Sequence, residues 1–209
     1  MDLGKILKSR NVILKMLNLR GCDTSEYQHS KEEINVLYDA NNRKSILNNK
    51  LDILLDNSSG NKIFVKYLTD KKKKSKNDIK KIVDEIYEKL LGKDDCCMLI
   101  TKDNLQMQPI LDEYFELQNI FIQIFNIDNL QYDISTHSLT PSSVKILNNQ
   151  EKKDIMEKYY IEDENKFPNI LVNDPIACFY GVKINDLVEI IYPSNTSGMS
   201  KYYRLCINS

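Results

Sequence analysis

Asp174-Pro175-Ile176-Ala177-Cys178-Phe179-Tyr180-Gly181-Val182-Lys183 decides how the C-terminal part of this chain is read. Asp followed by Pro is a helix-start signal. The carboxylate accepts an N–H that the first helical turn cannot use, and Pro at the first helical position has none to lose. Gly181, about two turns later, supplies a left-handed exit, so the helix is short. Asp174 and Pro175 are therefore read as a structural cap, with Asp174 as a general base the lesser reading. Downstream, Leu187 to Tyr192 reads as a strand, Pro193 to Ser200 as a polar turn containing Gly198, and Tyr202 to Ile207 as a closing strand.

Upstream of that stretch, Asn149 is positioned to cap a helix from about Glu151 to Tyr160, with Ile155, Met156 and Tyr159 on its buried face. Thr140-Pro141-Ser142-Ser143 reads as a turn. The character of the chain changes near Asp133, which places a boundary between about Tyr132 and His137 and predicts domains at residues 1–134 and 135–209. In the first of these, Leu3, Ile6, Leu7, Leu14 and Leu17 fall at helical spacing and Gly21 suits the end of that helix. Ser30 to Glu33 matches a capping box before a short run. Leu51 to Leu55 and Ile63 to Leu68, joined by Asn57 to Asn61, predict a β-hairpin. Ser75 caps a helix carrying Ile79, Ile82, Val83 and Ile86, ended by Gly92. A strand over Cys96 to Ile100, a helix from about Leu105 to Leu117 and a strand over Ile120 to Phe125 complete the order. Strands alternating with helices predict a sheet with helices packed on it and at least some parallel pairing. The expected class is α+β: an N-terminal α/β domain and a small C-terminal mixed module.

The 209 residues carry a formal net charge of -1. Basic and acidic residues number 21 and 21 through Thr136, then 8 and 9 beyond it. Neither half has the basic excess expected of a protein that holds DNA unaided. The five cysteines, Cys22, Cys96, Cys97, Cys178 and Cys206, form no CxxC pair. They read as reduced, buried thiols of an intracellular protein, with no metal or other cofactor. No apolar stretch approaches the ~20 residues of a membrane span, and no signal peptide is visible. The abundance of Asn, Lys and Ile reads as codon bias from an AT-rich genome, as in a large DNA virus or an AT-rich protist.

Three blocks in order give the C-terminal part a resemblance. Asp174 to Lys183 is similar to a DPvAryyGlkrG signature. Val188-Glu189-Ile190-Ile191-Tyr192-Pro193-Ser194-Asn195-Thr196-Ser197-Gly198 is similar to vvkIiRpSeTaG. The ending Tyr202-Tyr203-Arg204-Leu205-Cys206 is similar to yyRlv. All three belong to the fifth subunit of eukaryotic-type DNA-dependent RNA polymerases and to its short archaeal counterpart. Further matches are Lys158-Tyr159, Phe167-Pro168-Asn169-Ile170 and His137-Ser138-Leu139, while the N-terminal half follows the eukaryotic-type subunit in its order of elements. The chain departs from the family at Tyr192 (a basic residue there), Asn195 (Glu), Asn169 (Arg) and Lys183-Ile184-Asn185 (Lys-Arg-Gly). Asn104 to Met107 stands where the family has a Thr-Pro-Ser-Ala motif facing DNA.

The resemblance implies a non-catalytic core subunit in a hetero-oligomer, nuclear in a cell, or at a cytoplasmic replication site or in the virion of a virus. Its C-terminal module docks on the largest polymerase subunit. Tyr180, Gly181, Val182, Lys183, Pro193, Ser194, Thr196, Gly198, Tyr203 and Arg204 are the candidate contacts, alongside other core subunits. Its N-terminal domain is implied to be jaw-like and to touch downstream double-stranded DNA weakly and without sequence preference. Lys71, Lys72, Lys73, Lys74 and Lys102 are the candidate phosphate contacts, weighed against a simple solvated helix start. No catalytic residue of its own is expected. A Ser or Cys nucleophile needs a positioned base, most often His, and His29 and His137 lie in no such motif. Nucleotidyl transfer is thus left to the assembled polymerase. Two other readings stay open. One is a free-standing transcription adaptor built on the same module. The other is a nuclease-like fold, disfavoured because Phe64-Val65-Lys66 lacks the acid of a Glu-x-Lys pair beside Asp52.

Overall fold

In the computed structural model the described residues are 2–39, 50–58, 60–68, 75–102, 108–194, 196 and 198–208. Contacts divide the chain into two units, Met1–Tyr132 and Asp133–Ser209. Together they make an α+β protein with two mixed four-stranded sheets.

The first unit is built from α1 (Leu3–Leu19), α2 (Lys31–Asp39), β1 (Ile53–Asp56), β2 (Lys62–Tyr67), α3 (Lys76–Lys89), β3 (Cys96–Thr101), α4 (Gln108–Gln118) and β4 (Phe121–Asn126). Its sheet runs β1-β2-β3-β4. The first pair is the antiparallel hairpin expected from Asn57 to Asn61, and the next two are parallel. The register sets Phe64, Cys97 and Ile122 side by side, and Val65, Met98 and Gln123 side by side. These rows point to opposite faces. Phe64, Cys97 and Ile122 pack with Ile79, Ile82, Val83 and Ile86 of α3 and with Ile110 and Tyr114 of α4. Toward the other face lies α1: Ser9 Oγ is 3.4 Å from the Tyr67 hydroxyl, and Arg20 Nη1, just past the helix, donates to Gln123 Oε1 at 2.9 Å. Both faces of β3 are therefore buried, and Cys96 and Cys97 are buried with it.

The local signals act as their chemistry requires. Ser75 and Asp78 form a reciprocal capping box at α3. The box at Ser30 and Glu33 opens a helix of nine residues, longer than the apolar run after it suggests. The first strand starts at Ile53, two residues later than the pattern predicts. Leu51 and Asp52 instead give their carbonyl and carboxylate to Arg10, Lys66 and the Tyr67 N–H.

The second unit comprises β5 (Ser143–Ile146), α5 (Asn149–Lys158), β6 (Asn169–Leu171), α6 (Pro175–Tyr180), β7 (Leu187–Ser194) and β8 (Gly198–Ile207). The strand order is β5-β7-β8-β6, antiparallel except for the parallel pairing of β6 with β8. One face packs Ile170, Ala177, Val182, Val188, Ile190 and Cys206, including a residue of α6. The other packs Phe167, Leu187 and Leu205 with Ile155 and Met156 of α5.

Several expectations are corrected here. Thr140 to Ser143 does not stay a turn, because Ser143 begins β5, and β6 is a strand that three residues could not announce. The helix α5 starts two residues early, at Asn149, and its cap is Asn148 in place of Asn149, with the Asn148 side chain accepting from Gln150 and Glu151. Tyr159 is not on its buried face. It ends the helix half exposed, its ring 5.8 Å from that of Tyr203. The polar turn shrinks to the link between Ser194 and Gly198, since Pro193 pairs with Met199 inside the hairpin. Pro is tolerated there because β5 reaches only to Ile191, so the described strand on that side asks for no N–H.

Candidate partner-docking surface

Short α6 with its flanking residues and the β7–β8 hairpin carry the candidate contacts of this unit. Asp174 Oδ1 accepts from the Ile176 N–H at 2.8 Å, Pro175 occupies the first turn, and Gly181 leaves the helix at φ 72°. That left-handed exit, which a Cβ would strain, turns the chain so that Val182 returns to the core. Val182 is 1 % exposed and its N–H donates to the Ala177 carbonyl, so this candidate contact is corrected: the residue is core and is not open to a partner. Tyr180, Gly181 and Lys183 are half-buried at the same corner, where the Lys183 N–H donates to Asp186 Oδ2 at 2.8 Å.

On the hairpin, Pro193, Thr196, Gly198 and Arg204 are exposed, while Ser194 and Tyr203 are half-buried. Asn195 lies outside the described residues. Tyr192, Pro193, Ser194, Ser200, Tyr202 and Arg204 line a shallow groove of about 460 Å³. Its floor is aromatic, with the rings of Tyr192 and Tyr202 meeting edge to face at 5.9 Å. At its end Arg204 donates to the Asn169 carbonyl at 2.9 Å, tying β8 to the start of β6. On the opposite face the Tyr203 hydroxyl donates to Glu189 Oε2 at 3.0 Å, and Lys201 pairs with the same carboxylate at 2.9 Å. Burial and that hydrogen bond to Glu189 push the Tyr203 hydroxyl up to about 12.

The structure thus joins Pro193, Ser194 and Arg204 in one groove, sets Tyr203 behind it, and keeps Tyr180 to Lys183 on the α6 corner. Tyr192, Ser200 and Tyr202 complete the groove. The sequence offers Tyr192 and Tyr202, with Tyr180 and Tyr203, as interface residues if exposed, and Ser200 falls within the stretch Pro193 to Arg204 that it suggests for contacts. Their signal is the alternation Ser200, Tyr202, Arg204, visible only once the strand is extended back to Gly198.

The other candidates sit apart from this surface. Lys102 is exposed at the end of β3, whereas Lys71 to Lys74 and Asn104 to Met107 lie outside the described residues. His137 Nδ1 accepts from the Leu139 N–H, a local turn contact. Cys206 is buried and its thiol is pushed up to about 12, far from the thiolate a nucleophile needs. Asp52 and Lys66, the pair weighed for a nuclease, form a buried salt bridge at 2.8 Å. No cluster of three or more His, Cys, Asp or Glu able to hold a metal is found among the described residues. The second unit presents tyrosine rings and the Arg204 guanidinium on its hairpin, residue types enriched in protein interfaces.

Residues 132–206 match the family described as RNA polymerase Rpb5, C-terminal domain. The rpabc1 subunit of DNA-directed RNA polymerases I, II, and III from Dictyostelium discoideum is 26% identical over 208 residues, 99% of either chain. Subunit 5B of the Arabidopsis thaliana RNA polymerases IV and V is 30% identical over 93 residues, 44% of this chain and 41% of that one. The Rpo5 polymerase subunit of Thermococcus onnurineus is 38% identical over 77 residues, 37% of this chain but 92% of its own length. With nearly the whole of that archaeal relative covered at 38% identity, and the cap, exit glycine and hairpin of the resemblance all present in the second unit, the chain belongs to the RNA polymerase subunit 5 (Rpb5) family.

Proposed function

We propose that this protein is a non-catalytic core subunit of a DNA-dependent RNA polymerase, braced on the largest subunit through residues 133–209. Residues 1–132 would serve as a jaw beside the downstream DNA. The observation that carries the reading is likeness to a polymerase subunit over 99% of both chains. A free-standing adaptor would need only the second unit. In this reading the groove of Tyr192, Pro193, Tyr202 and Arg204 and the corner at Tyr180 and Lys183 meet the largest subunit. Lys102, with Lys71 to Lys74, contributes phosphate contacts that are non-specific and salt-sensitive. The chain then works where its polymerase works, in the nucleus of a eukaryotic cell.

The test is a pull-down of tagged protein from its native source at ~0.5 M salt, where contacts made only through nucleic acid are largely lost. The two largest polymerase subunits should be recovered in equal amounts. Recovery of the protein alone would overturn the core-subunit reading and leave the adaptor.

A further inference from the structure

The core of residues 1–132 contains an imbalance of charge. Arg10 on α1 is 1 % exposed and Lys66 on β2 is 4 % exposed. Among the described residues, the buried carboxylate beside them is that of Asp52, 7% exposed. That carboxylate is already engaged: Oδ2 takes Lys66 Nζ at 2.8 Å, and Oδ1 accepts from the Tyr67 N–H at 3.2 Å. Among the described residues, two buried cations therefore face one buried anion.

Arg10 bears the deficit. Its Nη1 donates to the Leu51 carbonyl at 2.9 Å, but Nε and Nη2 are buried without any hydrogen-bond partner among the described residues. The ring of Tyr27, with its centroid 5.9 Å from the guanidinium carbon, is a weak substitute. Burial lowers the pKa of this guanidinium, yet an arginine side chain keeps its proton in proteins, so the charge stays. The identity of the two orphans matters. In a guanidinium, the Nε–H and one N–H of Nη2 lie parallel on the same edge. They form the side-on fork that matches the two oxygens of a carboxylate. One complete fork is unused here, not two scattered donors.

Arg10 is also part of the wall of a pocket of about 380 Å³ bounded by α1, the turn at Thr24 to Tyr27, and Ile34 of α2. Lys15 and His29 line it too, and among the described residues no carboxylate does. Glu33, which faces the lining residue His29 at 3.8 Å, is taken up by the Ser30 N–H at 2.7 Å. We propose that this pocket binds a carboxylate, held side-on by Nε and Nη2 of Arg10. A singly charged planar group restores neutrality to the two cations and Asp52. A phosphate, with close to two charges, would overshoot in a medium where unpaired charge is costly. Because the fork is closed to solvent, the ligand gains it by turning aside Tyr27, whose hydroxyl donates to the Leu54 carbonyl at 3.0 Å. The carboxylate belongs either to a small acid or to an Asp or Glu side chain of an adjoining polypeptide.

The experiment follows the Arg10 Nε–Hε resonance of the full chain by NMR at fixed ionic strength and pH 7. Sodium acetate, N-acetyl-glutamate amide and inorganic phosphate are titrated in turn against sodium chloride. A saturating shift with acetate is expected, with half-saturation on the order of millimolar and a weaker response to phosphate. Binding of acetate alone assigns a small acid, and binding of the glutamate derivative as well assigns a side chain. Gln28→Glu, at the exposed rim, should lower acetate affinity about fivefold through like charge while leaving the fold intact. Arg10→Lys, which keeps the charge and loses the fork, should abolish saturation. A shift that chloride reproduces, a resonance that does not move, or phosphate binding more tightly than acetate would overturn the proposal.

Discussion

The two sheets solve opposite problems. In residues 1–132 the strands β2 and β3 are buried along almost their whole length, and apart from Lys62, Lys66 and Thr101 they read as apolar runs. In residues 133–209 the hairpin is buried only where its strands pass the core, and its far end stands in solvent. A doubly covered sheet asks for volume and β-propensity, which many sequences supply. A small unit with a modest core relies on residues with particular backbone demands, such as a cap, a proline and a left-handed glycine.

Three substitutions probe that contrast, beginning with the largest effect. Lys66→Met removes the ammonium that pairs with the buried Asp52 carboxylate, leaving it the more distant Arg10 guanidinium and pushing it toward its neutral form. Breaking a buried pair in this way costs about 3–5 kcal/mol, read by urea unfolding of the full chain. A loss below about 1 kcal/mol would mean that the first unit tolerates polar change in its core as freely as apolar change. Burial already pushes the Asp52 carboxyl up to about 6 against the pull of Lys66, so the variant should also raise the pH at which this carboxyl titrates. Gly181→Ala acts through the backbone alone, placing a Cβ at φ 72°. It should cost about 1–2 kcal/mol, measured by amide exchange at Val188 and Ile190. Asp174→Ala removes the acceptor for Ile176 and should cost about 1 kcal/mol, followed in the same exchange experiment. Equal insensitivity to both changes would undo the claim that caps and turns specify the second unit.

Those residues also explain what can be read in advance. The helix start at Asp174 and its exit at Gly181 are local chemistry, and local chemistry is written in adjacent residues. The alternation of strands and helices before Asp133 announces the parallel pairing of β2, β3 and β4. Strands β5 and β6 are silent because short edge strands owe their conformation to the neighbour they join. That Tyr192, Ser200 and Tyr202 meet in one groove is hidden for a related reason: a groove is defined by cross-strand register, which no single segment contains. The imbalance around Arg10 is hidden more deeply, since Arg10, Asp52 and Lys66 meet only when the sheet and α1 are packed.

The parallel strands also bear on the order of events during synthesis. Joining Ile63 to Cys96 closes more than thirty residues of intervening chain, whereas Ser194 and Gly198 meet across a tight link. Non-local pairings are the slow ones. The unit that depends on them leaves the ribosome first, and the 77 residues from Asp133 to Ser209 follow it. At ordinary translation speeds of about 5–20 residues per second, that tail gives the first sheet roughly 4–15 s to find its register before the quick-closing hairpin is complete.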